Sequence, residues 1–204
     1  MDRSMPAPDR LGGIGWTRRT RGALTSKERR KLLAAVARAQ GDNALGRLRL
    51  LTGRASRAAD ELPDPPDSAF AKDVQAAADE QPPAIVAHSY RTWAFGSALA
   101  RHDGHHLDPE AFWCATLLHD AGIATQVPQE DFTLRSAAAA TKHVDKHGRD
   151  DGELIADAIT IHATAGIDPE TDGALGVYVQ AGAMLDLGGV RLWDVSERHA
   201  LHQR

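Results

Sequence analysis

The sequence feature that most constrains the fold is an apolar run that ends in two adjacent polar residues. The segment Ala115-Thr-Leu-Leu-His-Asp-Ala-Gly-Ile123 places the pair His119–Asp120 immediately after apolar side chains. The apolar run predicts a buried helix, and an unpaired carboxylate inside a protein is energetically costly. The pair therefore indicates either a bound cation or a helix C-terminal cap, in which the imidazole lies at the negative end of the helix dipole.

The composition favours helices over sheets. Hydrophobic residues make up 42% of the 204 residues and aromatic residues only 5%, so the core is built mainly from Ala and Leu. These residues favour close-packed helices. The single cysteine, Cys114, excludes an intramolecular disulfide and a Cys-rich zinc motif. No apolar run is long enough to span a bilayer or to serve as a signal peptide, so we expect a cytoplasmic all-α protein without membrane contacts.

Charge is distributed unevenly along the chain. Residues 1–60 hold 14 Lys or Arg and 5 Asp or Glu, a net charge of +9, whereas residues 61–204 carry a net charge of −13. A basic segment of this kind binds nucleic acid or docks on the acidic body of its own chain or of a partner subunit. Only Trp16 interleaves the basic residues and no nucleic-acid motif is recognisable. We therefore expect docking, which permits a homo-oligomer, and do not expect nucleic-acid binding.

Turn signals divide the chain into two predicted units. The stretch Leu62-Pro-Asp-Pro-Pro-Asp67 is the clearest break. It separates a basic N-terminal arm with a helical extension at 1–62 from a helical domain at 63–204. Residues 1–24, rich in glycine, are expected to be irregular. Apolar periodicity and capping signals predict an all-α bundle, with helices over 25–40, 43–52, 68–80, 84–102, 108–121, 133–148, 151–164 and 173–187.

Most of the ten histidines have an ordinary explanation. His143 and His147 have the i, i+4 spacing of a zinc-binding pair. Their neighbours Lys142 and Lys146 favour a solvated helix face instead. The remaining loop and tail histidines are expected to be solvent-exposed, namely His102, His105, His106, His199 and His202.

Three further polar residues lie within or at the end of apolar helical stretches. His88 has Arg91 three residues later, on nearly the same helix face. His162 closes the run at 155–161, and Asp186 ends a run that precedes two glycines. Taken singly, each fits a hydrogen-bonded core histidine or a polar helix end. Together with His119–Asp120 they give four helices whose apolar faces each offer a His or an Asp.

The order of these residues resembles a known signature. His88, then His119–Asp120, then Asp186 is similar to the His…His-Asp…Asp pattern of the HD-domain superfamily of metal-dependent hydrolases. The flanking sequences resemble its cyanamide hydratase-like branch. The resemblance covers about residues 68–190 and not the basic arm. The segments that carry it are His88-Ser-Tyr-Arg-Thr92, Leu117-Leu-His-Asp-Ala-Gly122, Ala158-Ile-Thr-Ile-His162 and Ala181-Gly-Ala-Met-Leu-Asp-Leu-Gly188.

The resemblance implies a mononuclear metal centre. It makes His88, His119, Asp120 and Asp186 ligands of one divalent ion, for which zinc, iron and manganese are all suitable. Such an ion lowers the pKa of a bound water and supplies hydroxide at neutral pH. The implied catalytic residues are Asp120, Arg91, which holds an anion or a developing negative charge, and His162, which shuttles a proton.

The substrate class stays open at the level of sequence. No Lys follows the His-Asp pair, unlike the two-metal cyclic-dinucleotide phosphodiesterases, and Asp131-Phe-Thr-Leu-Arg-Ser-Ala137 departs from the cyanamide-type pattern. Phosphoester hydrolysis requires basic residues such as Arg91 and Arg135. Hydration of a small nitrile such as cyanamide requires no such clamp. The alternative is a catalytically inactive HD-like domain that binds a protein partner or nucleic acid through its basic arm.

Overall fold

A computed structural model describes residues 6–7, 9–51, 62–124, 127, 130–188, 190–191 and 194. The protein is a helical bundle, and no strand occurs in these ranges, so the all-α prediction is confirmed. A short 3-10 helix at Ala121–Ile123 follows the fifth α-helix. The α-helices are α1 Ile14–Thr20, α2 Ser26–Leu51, α3 Ala69–Asp79, α4 Pro83–His102, α5 Pro109–Leu118, α6 Phe132–Lys146, α7 Gly152–Ile161, α8 Pro169–Asp172 and α9 Ala174–Gly188.

Side-chain caps explain why the helices of the body begin where the sequence predicts. Ser68 accepts a hydrogen bond from the backbone N–H of Ala71 and starts α3. Asp108 accepts from two backbone N–H groups at the start of α5, and Asp131 accepts from one at the start of α6. Proline occupies the first position of α4 and α5, where its missing N–H costs nothing. None of the helices in the described ranges is long and apolar enough to cross a membrane.

Helices α4 and α9 form the closest helix pair of the bundle. They run antiparallel, and two glycines let their backbones approach. A Cβ atom on Gly96 would lie 2.5 Å from the carbonyl oxygen of Tyr178, and one on Gly182 would lie 2.2 Å from that of Thr92. Each step of four residues along α4 matches a step of four back along α9. One step before Thr92, this register brings His88 beside Asp186.

The described part of the first 24 residues is ordered, which corrects the prediction of an irregular segment at 1–24. It contains α1, whose Ile14 and Trp16 are buried. Arg10 is the anchor: its guanidinium contacts the carboxylate of Asp157 on α7 at 2.5 Å and that of Asp172 at 3.1 Å. The expected docking of basic residues on the acidic body is therefore observed within one chain. The prediction failed because the contacts that order the arm are made by residues far away in sequence.

Helix α2 is continuous, whereas the sequence predicted a break at Gly41. A glycine inside a helix costs roughly 1 kcal/mol relative to alanine. That penalty is small for a helix of 26 residues, so it does not end the helix. The division of the chain near residue 62 stays a prediction.

The glycine contact between α4 and α9 can be tested by adding a single methyl group. We expect Gly182→Ala to lower the free energy of unfolding by about 1–3 kcal/mol, because the new Cβ would collide with backbone rather than with a movable side chain. Gly41→Ala is the matched control. Nothing lies within 4 Å of its Cβ position, so it should stabilise the protein by roughly 0.5–1 kcal/mol. Urea unfolding measures both, and equal effects would contradict the packing argument.

The docking of the arm predicts unequal costs for two arginine truncations. Arg10→Ala leaves the carboxylate of Asp157, whose side chain is 3% exposed, without its cation and should cost about 3–5 kcal/mol. Arg18 makes a similar pair with Glu153, but both side chains are more than half exposed. Arg18→Ala should therefore cost at most about 1 kcal/mol. Thermal unfolding of the two variants makes the comparison, and a small effect of Arg10→Ala would argue against docking.

Candidate metal centre

Two helices end in the same way at the centre of the bundle. His119 follows the last residue of α5, and its Nδ1–H donates to the carbonyl oxygen of Thr116 at 2.7 Å. His162 follows the last residue of α7 and donates through Nδ1 to the carbonyl oxygen of Ile159. Because a carbonyl oxygen only accepts, the proton of each neutral ring is on Nδ1. Each Nε2 therefore presents a lone pair to the interior.

The Nε2 atom of His119 is one of five buried side-chain polar atoms without a hydrogen-bond partner in the described part of the chain, and it is the only nitrogen among them. The His119 side chain is fully buried, and this nitrogen has no hydrogen-bond partner. The pKa of His119 is lowered from 6.5 to about 3, mainly by burial; the hydrogen bond to Thr116 acts in the opposite direction, and the nearby His88 acts in the same direction as burial. The ring is therefore neutral at physiological pH. A buried lone pair without a donor is costly, and such an atom indicates a ligand.

Asp120 lies between the imidazoles. Its Oδ2 is 3.4 Å from Nε2 of His119 and 3.6 Å from Nε2 of His88, while its Oδ1 is 3.8 Å from Nε2 of His162. Burial raises the pKa of Asp120, whereas His162 and His88 act in the opposite direction. For His162, burial lowers the pKa because it disfavours the charged ring, and the nearby His119 acts in the same direction. The centre thus favours neutral imidazoles around a carboxylate that lacks a close cation.

His88 connects this centre to a second carboxylate. Its Nδ1 lies 2.6 Å from Oδ2 of Asp186, so the ring directs Nε2 toward Asp120. Arg91 holds the same carboxylate side-on, through Nε to Oδ1 and through Nη2 to Oδ2. Burial would raise the pKa of Asp186, but the hydrogen bonds from Arg91 and His88 outweigh it and lower the pKa. Asp186 is therefore ionised and orients the His88 ring.

The residues present fit a divalent metal ion. One ligand atom from each of His88, His119 and Asp120 lies within 4.8 Å of the other two, and these residues form the candidate metal group of the described chain. Neutral imidazole nitrogens with a carboxylate oxygen suit zinc, iron and manganese. A cation would satisfy both the orphaned Nε2 of His119 and the charge of Asp120. Asp186 is not a member of this three-residue group, and its carboxylate contacts the Nδ1 atom of His88.

The comparison with known families agrees with this geometry. The family model of the HD domain matches residues 85–184 of the chain. This part of the chain is therefore similar in sequence to the HD domain. No curated protein matches the sequence closely enough to count as a relative. The HD domain carries metal-dependent hydrolase chemistry with a divalent cation, which agrees with the arrangement of His88, His119 and Asp120.

The HD-domain match leaves both the ligand set and the catalytic roles as predictions: His88, His119 and Asp120 form a candidate group, and Asp186 lies outside it. The match ends two residues before Asp186, whose carboxylate contacts His88 and Arg91 rather than joining the three-residue group. Ligation by Asp186 therefore stays a prediction. The roles predicted for Asp120, Arg91 and His162 in the reaction also stay predictions, although all three side chains lie at the centre.

The other histidines serve packing and charge pairing, and some are less exposed than the sequence suggests. His143 and His147 both contact Asp73 of α3, at 2.7 and 3.2 Å, and Lys146 binds the same carboxylate. They are half-buried rather than solvated. His105 packs on Tyr178, and His102 is also partly buried, whereas His106 is exposed as predicted. The tail histidines, His199 and His202, lie outside the described residues.

Of two further residues that support the centre, the sequence analysis missed Gln180 and predicted Arg135 only as a cation for a phosphate group. Gln180 of α9 donates through Nε2 to the carbonyl oxygens of His162 and Thr164, each at 2.6 Å. Arg135 donates to the carbonyl oxygen of Gly122, just after the His-Asp pair. The only signal was a polar Gln within the apolar stretch of α9. For Arg135 the partner is a backbone atom, and nothing in the sequence marks it.

The metal centre predicts a defined stoichiometry. We expect the protein to bind about one divalent ion per chain, and His119→Ala and Asp120→Asn to abolish that binding. His143→Ala removes a histidine of the Asp73 cluster and is the matched control, so it should keep the ion. Metal content by mass spectrometry after loading with Zn²⁺, Fe²⁺ or Mn²⁺ gives the result. An equal loss in all three variants, or no ion in the wild type, would contradict the site.

The same measurement separates two roles for Asp186. If this carboxylate ligates the ion, as the sequence predicts, Asp186→Asn should lose binding as completely as Asp120→Asn. If it acts only by orienting His88, the affinity should fall about 10–100-fold and binding should persist at high ion concentration. Titration with a competing chelator measures the difference.

Proposed function

We propose that this protein is a metal-dependent hydrolase that acts on a small molecule. The observation that carries the proposal is the buried Nε2 of His119, which lacks a partner and lies 3.4 Å from the carboxylate of Asp120. A domain selected only for stability would pair or replace such an atom, since burying it costs free energy. The HD-domain match supports the same chemistry.

His88, His119 and Asp120 would hold the ion, with Asp186 as the predicted fourth ligand. A bound divalent ion supplies a hydroxide nucleophile at neutral pH by lowering the pKa of a coordinated water. The two imidazole rings are each held in place by a hydrogen bond. The Thr116 carbonyl fixes the His119 ring, and Asp186 fixes the His88 ring. Such preorganisation limits the motion needed during the reaction.

His162 would be the residue that moves the proton. Its Nδ1–H is bound to the backbone, so Nε2 is the acceptor, and this nitrogen lies 3.8 Å from Oδ1 of Asp120. Burial keeps the ring neutral at rest, as a general base requires. The carboxylate of Asp120 then stabilises the ring once it is protonated. Phe132 packs edge-on against His162 and limits the access of water from that side.

Arg91 would stabilise negative charge that develops on the substrate. The side-on ion pair with Asp186 uses Nε and Nη2 and leaves Nη1 outside that pair. The side chain is 31% exposed and therefore accessible to a small molecule. A guanidinium fixed in this way stabilises charge as it forms, without a large cost of reorientation.

The engagement of both predicted cations favours a small uncharged substrate. Arg91 is paired with Asp186, and Arg135 binds the carbonyl oxygen of Gly122 and lies near Glu130. Arg91 keeps only Nη1 outside its ion pair, and Arg135 is engaged by backbone oxygens, so neither offers its whole guanidinium as the phosphate clamp that phosphoester hydrolysis requires. Hydration of a nitrile, in which water adds across the C≡N bond, fits this site better. This choice agrees with the sequence resemblance to the cyanamide hydratase-like branch.

The alternative function is a catalytically inactive module that binds a partner through the basic arm. The charge pairing of the arm favours this alternative less. Arg10 pairs with Asp157 of α7 and with Asp172 and is largely buried, so this part of the basic charge is bound within the chain and does not face solvent. A nucleic-acid interface needs such charges to face solvent. The alternative also leaves the buried lone pair of His119 without a purpose.

Two substrates distinguish the reactions. The metal-loaded protein is incubated with cyanamide, whose hydration yields urea, and in parallel with p-nitrophenyl phosphate, whose hydrolysis releases p-nitrophenol. We expect urea formation that disappears in Asp120→Asn. Release of p-nitrophenol without urea would replace nitrile hydration by phosphoester hydrolysis. Absence of both activities in a protein shown to hold its ion would favour the binding module.

The role of His162 gives a sharper prediction. We expect His162→Gln to keep its metal ion and to lower kcat by about 10²–10⁴-fold, the range for loss of a general acid or base. The KM should change little, because the ring is not proposed to bind the substrate. Metal content and steady-state kinetics are measured on the same preparation. Loss of the ion together with activity would instead make His162 a ligand.

A further inference from the structure

A cavity of about 560 Å³ lies between α2 and α9, apart from the metal centre. Its walls are mainly apolar. Val36 and Ala39 of α2 form one side, and Val177, Ala181 and Met184 of α9 form the other. None of the six candidate metal-ligating and catalytic residues lines it. The cavity is therefore a separate feature, and the proposed hydrolase reaction does not account for it.

The polar end of the cavity carries charges that are already paired. Arg191 binds both carboxylate oxygens of Asp103 at 2.8 Å and also binds Asp194 at 2.8 Å. The hydroxyl group of Tyr178 donates to Asp103 as well. A ligand with a net charge would have to break one of these pairs. An uncharged molecule would not, and it could still form hydrogen bonds with their exposed edges.

The size and shape of the cavity match a small molecule better than a protein segment. Ligand pockets have volumes of roughly 300–1,000 Å³ and walls that are mostly apolar with a few polar groups. An α-helix is about 10–12 Å in diameter with its side chains, and it would need a long open groove. Here the segment that contains Ala165 and Ile167 limits one side, and Val190 and Arg191 limit another.

We propose that the cavity between α2 and α9 binds a small, uncharged and mainly apolar molecule. The site is also connected to the metal centre by one side chain. Gln180 lines the cavity, and its Nε2 holds the carbonyl oxygens of His162 and Thr164. A bound molecule that touches Gln180 therefore contacts the residue that fixes the segment following α7.

N-phenyl-1-naphthylamine is a suitable probe, because it is uncharged at neutral pH and mainly apolar. Its binding to the full chain is measured by equilibrium dialysis, so that added tryptophans do not affect the readout. Val36→Trp fills the cavity from the α2 side. Leu33→Trp is the matched control, since Leu33 lies on the same helix, is 62% exposed and does not line the cavity. Ala181→Phe fills the cavity from the α9 side.

We expect the wild type and Leu33→Trp to bind about one probe molecule per chain. Val36→Trp and Ala181→Phe should each bind at least about tenfold more weakly, with helix content unchanged by circular dichroism. Equal binding by Val36→Trp and Leu33→Trp, or no binding by the wild type, would overturn the proposal. So would sedimentation showing a dimer that Val36→Trp dissociates, since a second copy would then cover the cavity. The measurement needs no turnover and is independent of the hydrolase proposal.

Discussion

The close antiparallel contact between α4 and α9 is the interaction on which the candidate metal centre depends. Gly182 lies against the backbone of Thr92, and Gly96 lies against that of Tyr178. This close approach fixes which residues of the two helices lie opposite each other, and it places His88 within hydrogen-bond distance of Asp186. A wider spacing between the helices would place the carboxylate beyond hydrogen-bond distance of the ring. The orientation of the His88 ring is thus a consequence of helix packing.

A second constraint comes from the ends of α5 and α7. Each helix is mostly apolar and is followed by a buried histidine, so that two buried imidazoles meet beside the partly buried carboxylate of Asp120. The backbone carbonyls three residues earlier fix both rings and turn both Nε2 atoms inward. Caps of this kind satisfy the helix ends at the surface of a protein. In the interior they leave lone pairs that only a donor or a cation can satisfy.

The sequence is sufficient to predict those features of the fold that depend on the pattern of neighbouring residues. The helices of the body follow from apolar periodicity and from caps such as Asp108 and Asp131, and the order of His88, His119 and Asp120 leads to the metal group. Contacts between distant residues could not be predicted this way. The pairing of Arg91 with Asp186, the Asp73 cluster around His143 and His147, and the order of the arm all depend on the tertiary fold. A polar residue in a helix does not reveal which helix lies opposite.

The basic arm and the body are structurally one assembly around His162. On one side, Arg10 binds Asp157 in the middle of α7. On the same side, the backbone at Gly12 packs directly on Thr164; Gly12 adopts the left-handed conformation, with φ of 83°. On the other side, Gln180 holds the carbonyl oxygens of His162 and Thr164 from α9. The segment after α7 is therefore held from two directions, which restricts the position of the His162 ring. Because a proton acceptor must stay within hydrogen-bond reach of its donor, residues of the N-terminal arm, outside the region that matches the HD-domain model, contribute to the geometry that the proposed reaction requires.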